Sequence, residues 1–295
     1  MIDFVATLIA RPESATDLEA AATECGAAIS VDRTDVLSAN EAIDLYFAGD
    51  DLIGLRALLE TKVEGRPVDV VIQPAVGRQK RLLVADMDST IIGQECLDEL
   101  ADFAGLKAKV AAITERAMRG EIEFEPALRE RVGLLAGLSA DTIDKVLAER
   151  ITLNPGARTL VWTMRANGAT AILVSGGFTA FTEKVAAMAG FNESHANELL
   201  ISGGELTGKV KEPILGRSAK LATLEDAIIR LGLKPEQTMA VGDGANDLGM
   251  IRRAGLGIAY HAKPKVAEAA AGRIDHGDLT ALLYIQGYKR HQFVE

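Results

Sequence analysis

Aromatic residues are scarce in this chain. Phe, Trp and Tyr make up 4% of its 295 residues. A core must therefore be mostly aliphatic, and the 48% hydrophobic content is ample for one and argues against disorder. Cysteine is scarcer still. Cys25 and Cys96 stand far apart and fit no zinc spacing, and they read as reduced thiols of a cytoplasmic protein. Basic charge is in deficit. The formal net charge of −10 excludes a nucleic-acid partner held by a basic surface. Any anion site must then be built locally from Arg, Lys, a metal or helix N-termini. No apolar run reaches the roughly 18 residues of a membrane span, and Met1-Ile2-Asp3-Phe4 lacks the basic and apolar opening of a signal segment. GxGxxG and P-loop patterns are absent, so a dinucleotide or nucleoside triphosphate is not indicated.

What the chain has is Arg81-Leu82-Leu83-Val84-Ala85-Asp86-Met87-Asp88-Ser89-Thr90. A short apolar run without polar alternation suits a strand buried on both faces of a parallel sheet. Its C-terminal end delivers two carboxylates, and open α/β sheets place ligands at that end. If extension continues through Met87, Asp86 and Asp88 point the same way. Two carboxylates so close repel unless a cation or shared proton lies between them. The pattern suggests a Mg²⁺ site, a nucleophile with an acid/base neighbour, or both. The alternative is a turn whose Asp and Ser cap the next helix.

Length allows one large domain or two ordinary ones. Residues 1–77 read as a separate α+β unit. Strands are expected at 4–9, 28–36, 42–47 and 68–72, and helices at 16–25, ended by Gly26, and at 51–62, capped by Asp51. The order β-α-β-β-α-β is ferredoxin-like and resembles the ACT-type regulatory domains of amino-acid enzymes. A small packing or dimerising module reads equally well, so a homodimer is an expectation. Residues 74–80 read as a linker to a unit spanning 78–295. Helices expected at 95–103, 106–119, 124–135 and 141–149 are too long a stretch for a simple crossover. They read as a helical cap, 94–153, inserted into an α/β core of 78–93 and 154–295.

From residue 154 the α/β alternation resumes, with a helix at 158–167, a strand at 170–174 and a helix at 179–189. Ser175-Gly176-Gly177 at the strand–helix junction is a plausible phosphate cradle or an ordinary glycine turn. A hairpin is expected over 199–210 and a helix over 218–231. Lys220 sits in that helix's first turn, where the helix dipole disfavours a cation; it is either solvated or reaching into a site. A strand at 238–241 ends in Gly242-Asp243-Gly244-Ala245-Asn246-Asp247. A helix to 253, a strand at 256–260 and a last helix at 278–286 follow.

Asp86-Met87-Asp88-Ser89-Thr90, Ser175-Gly176, Lys220 and Gly242-Asp243-Gly244-Ala245-Asn246-Asp247 together resemble the four motifs of the haloacid dehalogenase superfamily. Glu95, nine residues after Asp86, and the segment Gly120-Glu121-Ile122-Glu123-Phe124-Glu125-Pro126 through Val132 resemble its phosphoserine phosphatase family. The resemblance covers about residue 80 to the C-terminus. It implies a Rossmann-like core under a helical cap, and Mg²⁺-dependent hydrolysis of phosphoserine to serine and phosphate, the last step of serine biosynthesis. By the same resemblance Asp86 is the nucleophile, Asp88 the acid and base, and Lys220 a phosphate ligand beside Ser175 and Gly176. Mg²⁺ falls to Asp86, the Asp88 carbonyl and Asp243, with Asp247 and Asn246 orienting these groups. Glu95 matches the substrate ammonium and Arg131 its carboxylate, and Met118 and Phe124 line the closed cap. Without the resemblance, Arg129-Glu130-Arg131 reads as a solvated face, and Met118 and Phe124 as core. A broader phosphatase, a phosphotransferase, a transport ATPase and a catalytically inactive amino-acid-binding protein are the rivals. The lack of membrane spans disfavours the ATPase, and the complete acidic set disfavours the inactive protein.

Overall fold

The computed structural model describes residues 2–11, 14, 17–118 and 121–295. The N-terminal unit comprises β1 (Ile2–Ala10), α1 (Leu18–Ile29), β2 (Arg33–Ser38), β3 (Ala42–Gly49), α2 (Leu52–Val63) and β4 (Val68–Pro74). Its four strands form an antiparallel sheet in the order β2-β3-β1-β4, the ferredoxin-like arrangement. Asp51 caps α2 as expected, accepting the Gly54 N–H at 2.9 Å. The first helix departs from expectation: it runs through Gly26 to Ile29, and Ser30 in the left-handed region ends it. Burial of Cys25 and Ile29 along one face holds the extra turn, so the second strand starts at Arg33, well past residue 28.

One face of this sheet packs on α1 and α2 through Phe4, Ala6, Leu8 and Leu45. On the other face, Ile9, Leu37, Ala42 and Val71 join the apolar cluster that includes Tyr284 and Tyr288 near the C-terminus. The segment expected as a linker is part of this junction. Buried Arg78 grips buried Asp44 through two nitrogens, at 2.6 and 3.0 Å, and donates to the carbonyls of Tyr284 and Ile285. Asp69 accepts the N–H groups of Asp275, His276 and Gly277.

The second sheet has six parallel strands: β5 (Leu82–Ala85), β6 (Thr170–Phe178), β7 (Glu193–Asn197), β10 (Thr238–Gly242), β11 (Leu256–Tyr260) and β12 (Gly272–Ile274), ordered β12-β11-β10-β5-β6-β7. A hairpin, β8 (Leu199–Ser202) and β9 (Glu205–Val210), stands apart. Leu83, Ala85, Ala171 and Leu173 face α7 (Ala157–Ala166) and α8 (Thr179–Ala189). Leu82, Val84, Ile172 and Val174 face α9 (Arg217–Arg230) and α10 (Leu248–Arg253). Both faces are covered, which explains the unalternated apolar runs. The strand β7, the helix α11 (Pro264–Ala269) and β12 were not anticipated. A last helix, α12, spans Ala281–Ile285. Between β5 and β6 lie α3 (Cys96–Phe103), α4 (Lys107–Met118), α5 (Phe124–Gly133) and α6 (Asp141–Glu149). The chain departs from β5 to β6 on one side and later returns to β10 on the other. That reversal opens a crevice at the β5 carboxyl end, where Asp86 stands.

Candidate active site

Asp86 follows β5 with the parity of Leu82 and Val84, so it points to the α9 side of the sheet. The backbone is extended at Asp86, helical at Met87 and extended again at Asp88, and it turns sharply at Ser89, φ +56°. The expected extension through Met87 therefore does not hold: it ends at Asp86, and a tight turn leads into the cap. Asp86 Oδ1 accepts the Met87 N–H at 2.7 Å. Asp88 Oδ1 accepts the N–H of Cys96, the first residue of α3, at 3.0 Å. Its Oδ2 accepts the Ser175 hydroxyl at 3.1 Å. Helix capping, the alternative weighed for this stretch, is therefore one of the tasks of Asp88.

Lys220 lies on the stripe of α9 that continues through buried Leu224, Ala227 and Ile228, spacings of one helix face. The stripe carries its side chain under the β5 end, where it is 3% exposed. Its Nζ lies 2.6 Å from Asp86 Oδ1 and 2.5 Å from Asp247 Oδ1. Burial works against this ammonium, but the two carboxylates outweigh it and raise its pKa. Lys220 is thus a fixed cation with anionic company, not a solvated residue. The other oxygen of Asp247 accepts the Gly244 N–H at 2.9 Å. Gly242 must lack a side chain here, because a Cβ would sit 2.4 Å from Asp247 Cγ.

Burial raises the pKa of Asp86, and the Asp247 charge adds to it against Lys220. Burial also raises Asp88, opposed by hydrogen bonds from Cys96 and Ser175, and raises Asp243, helped by Asp247. The carboxylates of Asp86, Asp243 and Asp247 offer oxygens within 4.8 Å of one another. A set of oxygen donors without His or Cys fits a hard divalent cation, so this cluster can hold a metal. The carboxylate of Asp88 lies outside it, turned toward Cys96 and Ser175.

Ser175 sits where β6 and β7 change register. Val174 pairs with His195 and Phe178 with Asn197, so the chain between bulges outward. The Gly177 N–H donates to Ser175 Oγ at 2.8 Å. A Cβ on Gly176 would meet the Phe124 ring at 3.3 Å, so the cap rests on this loop through Phe124.

Asp86, Asp88, Asp243, Ser175, Gly176 and Phe124 line one cavity of about 540 Å³ together with Glu95, Arg131, Gly244, Ala245 and Asn246, while Lys220 and Asp247 lie behind Asp86, outside that lining. Arg129 is exposed and paired with Glu125 and Glu212, as a solvated face would be. Arg131 instead faces the cavity. Its hydrogen bonds among the described residues are two long ones, to the Ala127 carbonyl at 3.3 Å and the Thr114 hydroxyl at 3.4 Å. Burial lowers its pKa, and Asp98 and Glu95 partly restore it. Glu95 accepts the Ser89 hydroxyl at 2.8 Å. Although it stands at the open side of the cavity, loss of water around it and the Asp88 charge raise its pKa to about 7. The Met118 side chain lies outside the described residues.

Asp98, Thr114 and Lys263 also line the cavity and were not singled out from sequence. Glu95 and Asp98, three apart at the start of α3, carried a signal, since that spacing puts both on one helix face. Lys263 had none.

The family model for haloacid dehalogenase-like hydrolases matches residues 83–252. A phosphoserine phosphatase of Archaeoglobus fulgidus is 42% identical over 248 residues, covering 82% of this chain and 72% of its own. A HAD family hydrolase of Salmonella enterica serovar Typhi superposes with a TM-score of 0.87 at 29% identity, covering 96% of this chain and 98% of its own. A phosphoserine phosphatase solved as a phospho-aspartyl intermediate analogue superposes with a TM-score of 0.65 at 39% identity, covering 70% of this chain and 98% of its own.

Proposed function

The chain belongs to the haloacid dehalogenase-like hydrolases and is a phosphatase, and from that premise we propose that it hydrolyses O-phospho-L-serine through an aspartyl-phosphate on Asp86. The observation that carries the reading is one cavity with two walls. Asp86, Asp88 and Ser175 stand on the core side, with Lys220 behind Asp86, and Glu95 and Arg131 stand on the cap side. The first wall suits a phosphoryl group, and the second suits an ammonium and a carboxylate.

In this mechanism the Asp86 carboxylate attacks phosphorus and the bond to the serine oxygen breaks. Asp88, whose pKa burial raises, gives its proton to that oxygen. Asp88 then takes a proton from water as the water oxygen attacks phosphorus, and the Asp86–phosphorus bond breaks. Lys220, Ser175 and the Gly176 N–H bind phosphoryl oxygens and offset their growing charge. Mg²⁺ would be held by the Asp86 carboxylate, the Asp88 backbone carbonyl and Asp243, and when bound it supplies charge neutralisation and orientation. Asn246 and Asp247 hold these groups in register. Arg131 takes the substrate carboxylate through its planar fork, and Glu95 takes the ammonium. Met118 and Phe124 help the cap exclude water.

Residues 1–77 form the second part of the proposal: an ACT-like regulatory or dimerising unit that contributes no catalytic group, attached to a phosphatase unit of 78–295. No helix among the described residues is long and apolar enough to cross a membrane, which is compatible with a cytoplasmic enzyme.

The test is phosphate release from a panel of small phosphomonoesters, with Mg²⁺, with chelator, and with Mg²⁺ restored. Phosphoserine should give the highest kcat/KM, lost on chelation and regained with the metal. A simple aryl or sugar phosphate hydrolysed as well as phosphoserine would refute the substrate; undiminished release in chelator would refute the metal.

A further inference from the structure

We propose that Asn197 is a positioning residue that locks the phosphate-binding loop to the helix bearing Lys220, and so sets the phosphate-binding geometry from behind. The inference rests on the assignment of phosphate to Ser175, Gly176 and Lys220 made above. Asn197 is the last residue of β7, does not itself line the cavity, and is 2% exposed. Its amide is fully engaged. Nδ2 donates to the Gly176 carbonyl at 3.0 Å and to the Leu215 carbonyl at 3.3 Å. Oδ1 accepts the Leu215 N–H at 2.7 Å. Two carbonyls on one end and an N–H on the other admit a single orientation of the amide.

The two segments it joins are the two that would grip phosphate. The Gly176–Gly177 peptide is planar and is held at both ends: its carbonyl by Asn197, its N–H by Ser175 Oγ at 2.8 Å. Ser175 Oγ in turn donates to Asp88 at 3.1 Å. On the other side, Leu215 directly precedes Gly216, the N-cap of α9, whose fourth residue is Lys220. A continuous set of hydrogen bonds therefore runs from Asp88 through Ser175, the bulged loop and Asn197 to the start of α9. The bulge needs such a tie, because β6 and β7 lose their ladder there. Ordinary burial of a strand end would call for an apolar side chain. A buried amide with every donor and acceptor matched costs stability when any partner is lost, and its directionality fixes the loop against the helix.

The experiment compares the full-length protein with Asn197→Ala and Asn197→Asp. It measures kcat and KM for phosphoserine and for an aryl phosphate, and the inhibition constant of inorganic phosphate. Asn197→Ala should raise KM and the phosphate inhibition constant together and lower kcat/KM for both substrates by roughly tenfold to a hundredfold. The ratio between the substrates should hold, because Glu95 and Arg131 lie on the cap. Asn197→Asp should lose at least as much, since a carboxylate oxygen then faces two carbonyls. A purely structural role would lower the active fraction and the melting temperature while leaving KM and the phosphate inhibition constant unchanged, and that result would overturn the proposal. Should the variants fail to fold, amide exchange in the wild type decides. Inorganic phosphate should slow exchange across residues 215–217 as well as 175–177; protection confined to 175–177 would overturn it. A wild type that shows this linked protection but releases no phosphate from phosphoserine would refute the substrate while supporting the role of Asn197.

Discussion

Arg131→Ala should separate substrate recognition from phosphoryl chemistry. Among the described residues the guanidinium makes two long hydrogen bonds, at 3.3 and 3.4 Å, which leaves donors for a ligand. Hydrogen bonds to charged groups are worth roughly 1.5–3 kcal/mol, which converts to about tenfold to over a hundredfold in kcat/KM. The loss should fall toward the upper end. Removing Arg131 leaves Asp98 and Glu95 in the cavity without the cation that faces them, and their charge would repel the substrate carboxylate. The assay is steady-state phosphate release from phosphoserine and from an aryl phosphate, which has no carboxylate to lose. The aryl substrate should change several-fold at most. Arg131→Lys should recover part of the loss, because it restores charge but not the planar fork. Equal slowing of both substrates would mean Arg131 shapes the cap, and the argument from its free donors would be wrong. No slowing of either would remove it from the site.

The raised pKa of Glu95, about 7, has a sign that can be tested. Below that pH Glu95 is neutral and cannot pair with an ammonium, so the kcat/KM ratio of phosphoserine to aryl phosphate should fall as pH drops through about 7. Glu95→Gln should flatten that dependence, and an unchanged profile in the variant would assign the titration elsewhere. The junction with the N-terminal unit should matter for stability and not for chemistry. Asp44 and Arg78 are both buried, and removing one partner of a buried pair costs about 3–5 kcal/mol. Asp44→Ala should lower the unfolding free energy by that order while the folded enzyme keeps its kcat/KM. A stable variant with a dead site would contradict the assignment of all chemistry to residues beyond 77.

The parts of the fold legible in the sequence were those where one physical signal dominates. The apolar runs of β5, β6, β10 and β11 are buried on both faces, and buried parallel strands read as unbroken hydrophobic stretches. The strand β7 escaped because Glu193-Ser194-His195-Ala196-Asn197 has neither an apolar run nor an alternation, and with it went Asn197. Gly26 read as a helix stop, yet tertiary burial of Ile29 carried α1 past it. Arg78 and Lys80 read as linker charge. Only the tertiary structure reveals the carbonyls and the Asp44 carboxylate that receive them. The site was legible as a set of motifs, and Lys220 was singled out by its misfit with the helix dipole. What charge pattern alone could not convey, without the family resemblance, was which charged residues of one run face the cavity: Arg131 does, and Arg129, two residues earlier, is exposed and paired with Glu125 and Glu212.

The covalent role of Asp86 is the central claim, and rapid acid quench of wild type with phosphoserine and Mg²⁺, followed by peptide mass analysis, tests it most directly. The quenched protein should carry one phosphoryl group, labile to base and hydroxylamine as an acyl phosphate is, on the peptide containing Asp86. It should be absent from Asp86→Asn, an isosteric variant that should fold normally and release no phosphate. Steady turnover with no trapped phosphoenzyme, a phosphoryl group on another residue, or substantial phosphate release by Asp86→Asn would contradict the account.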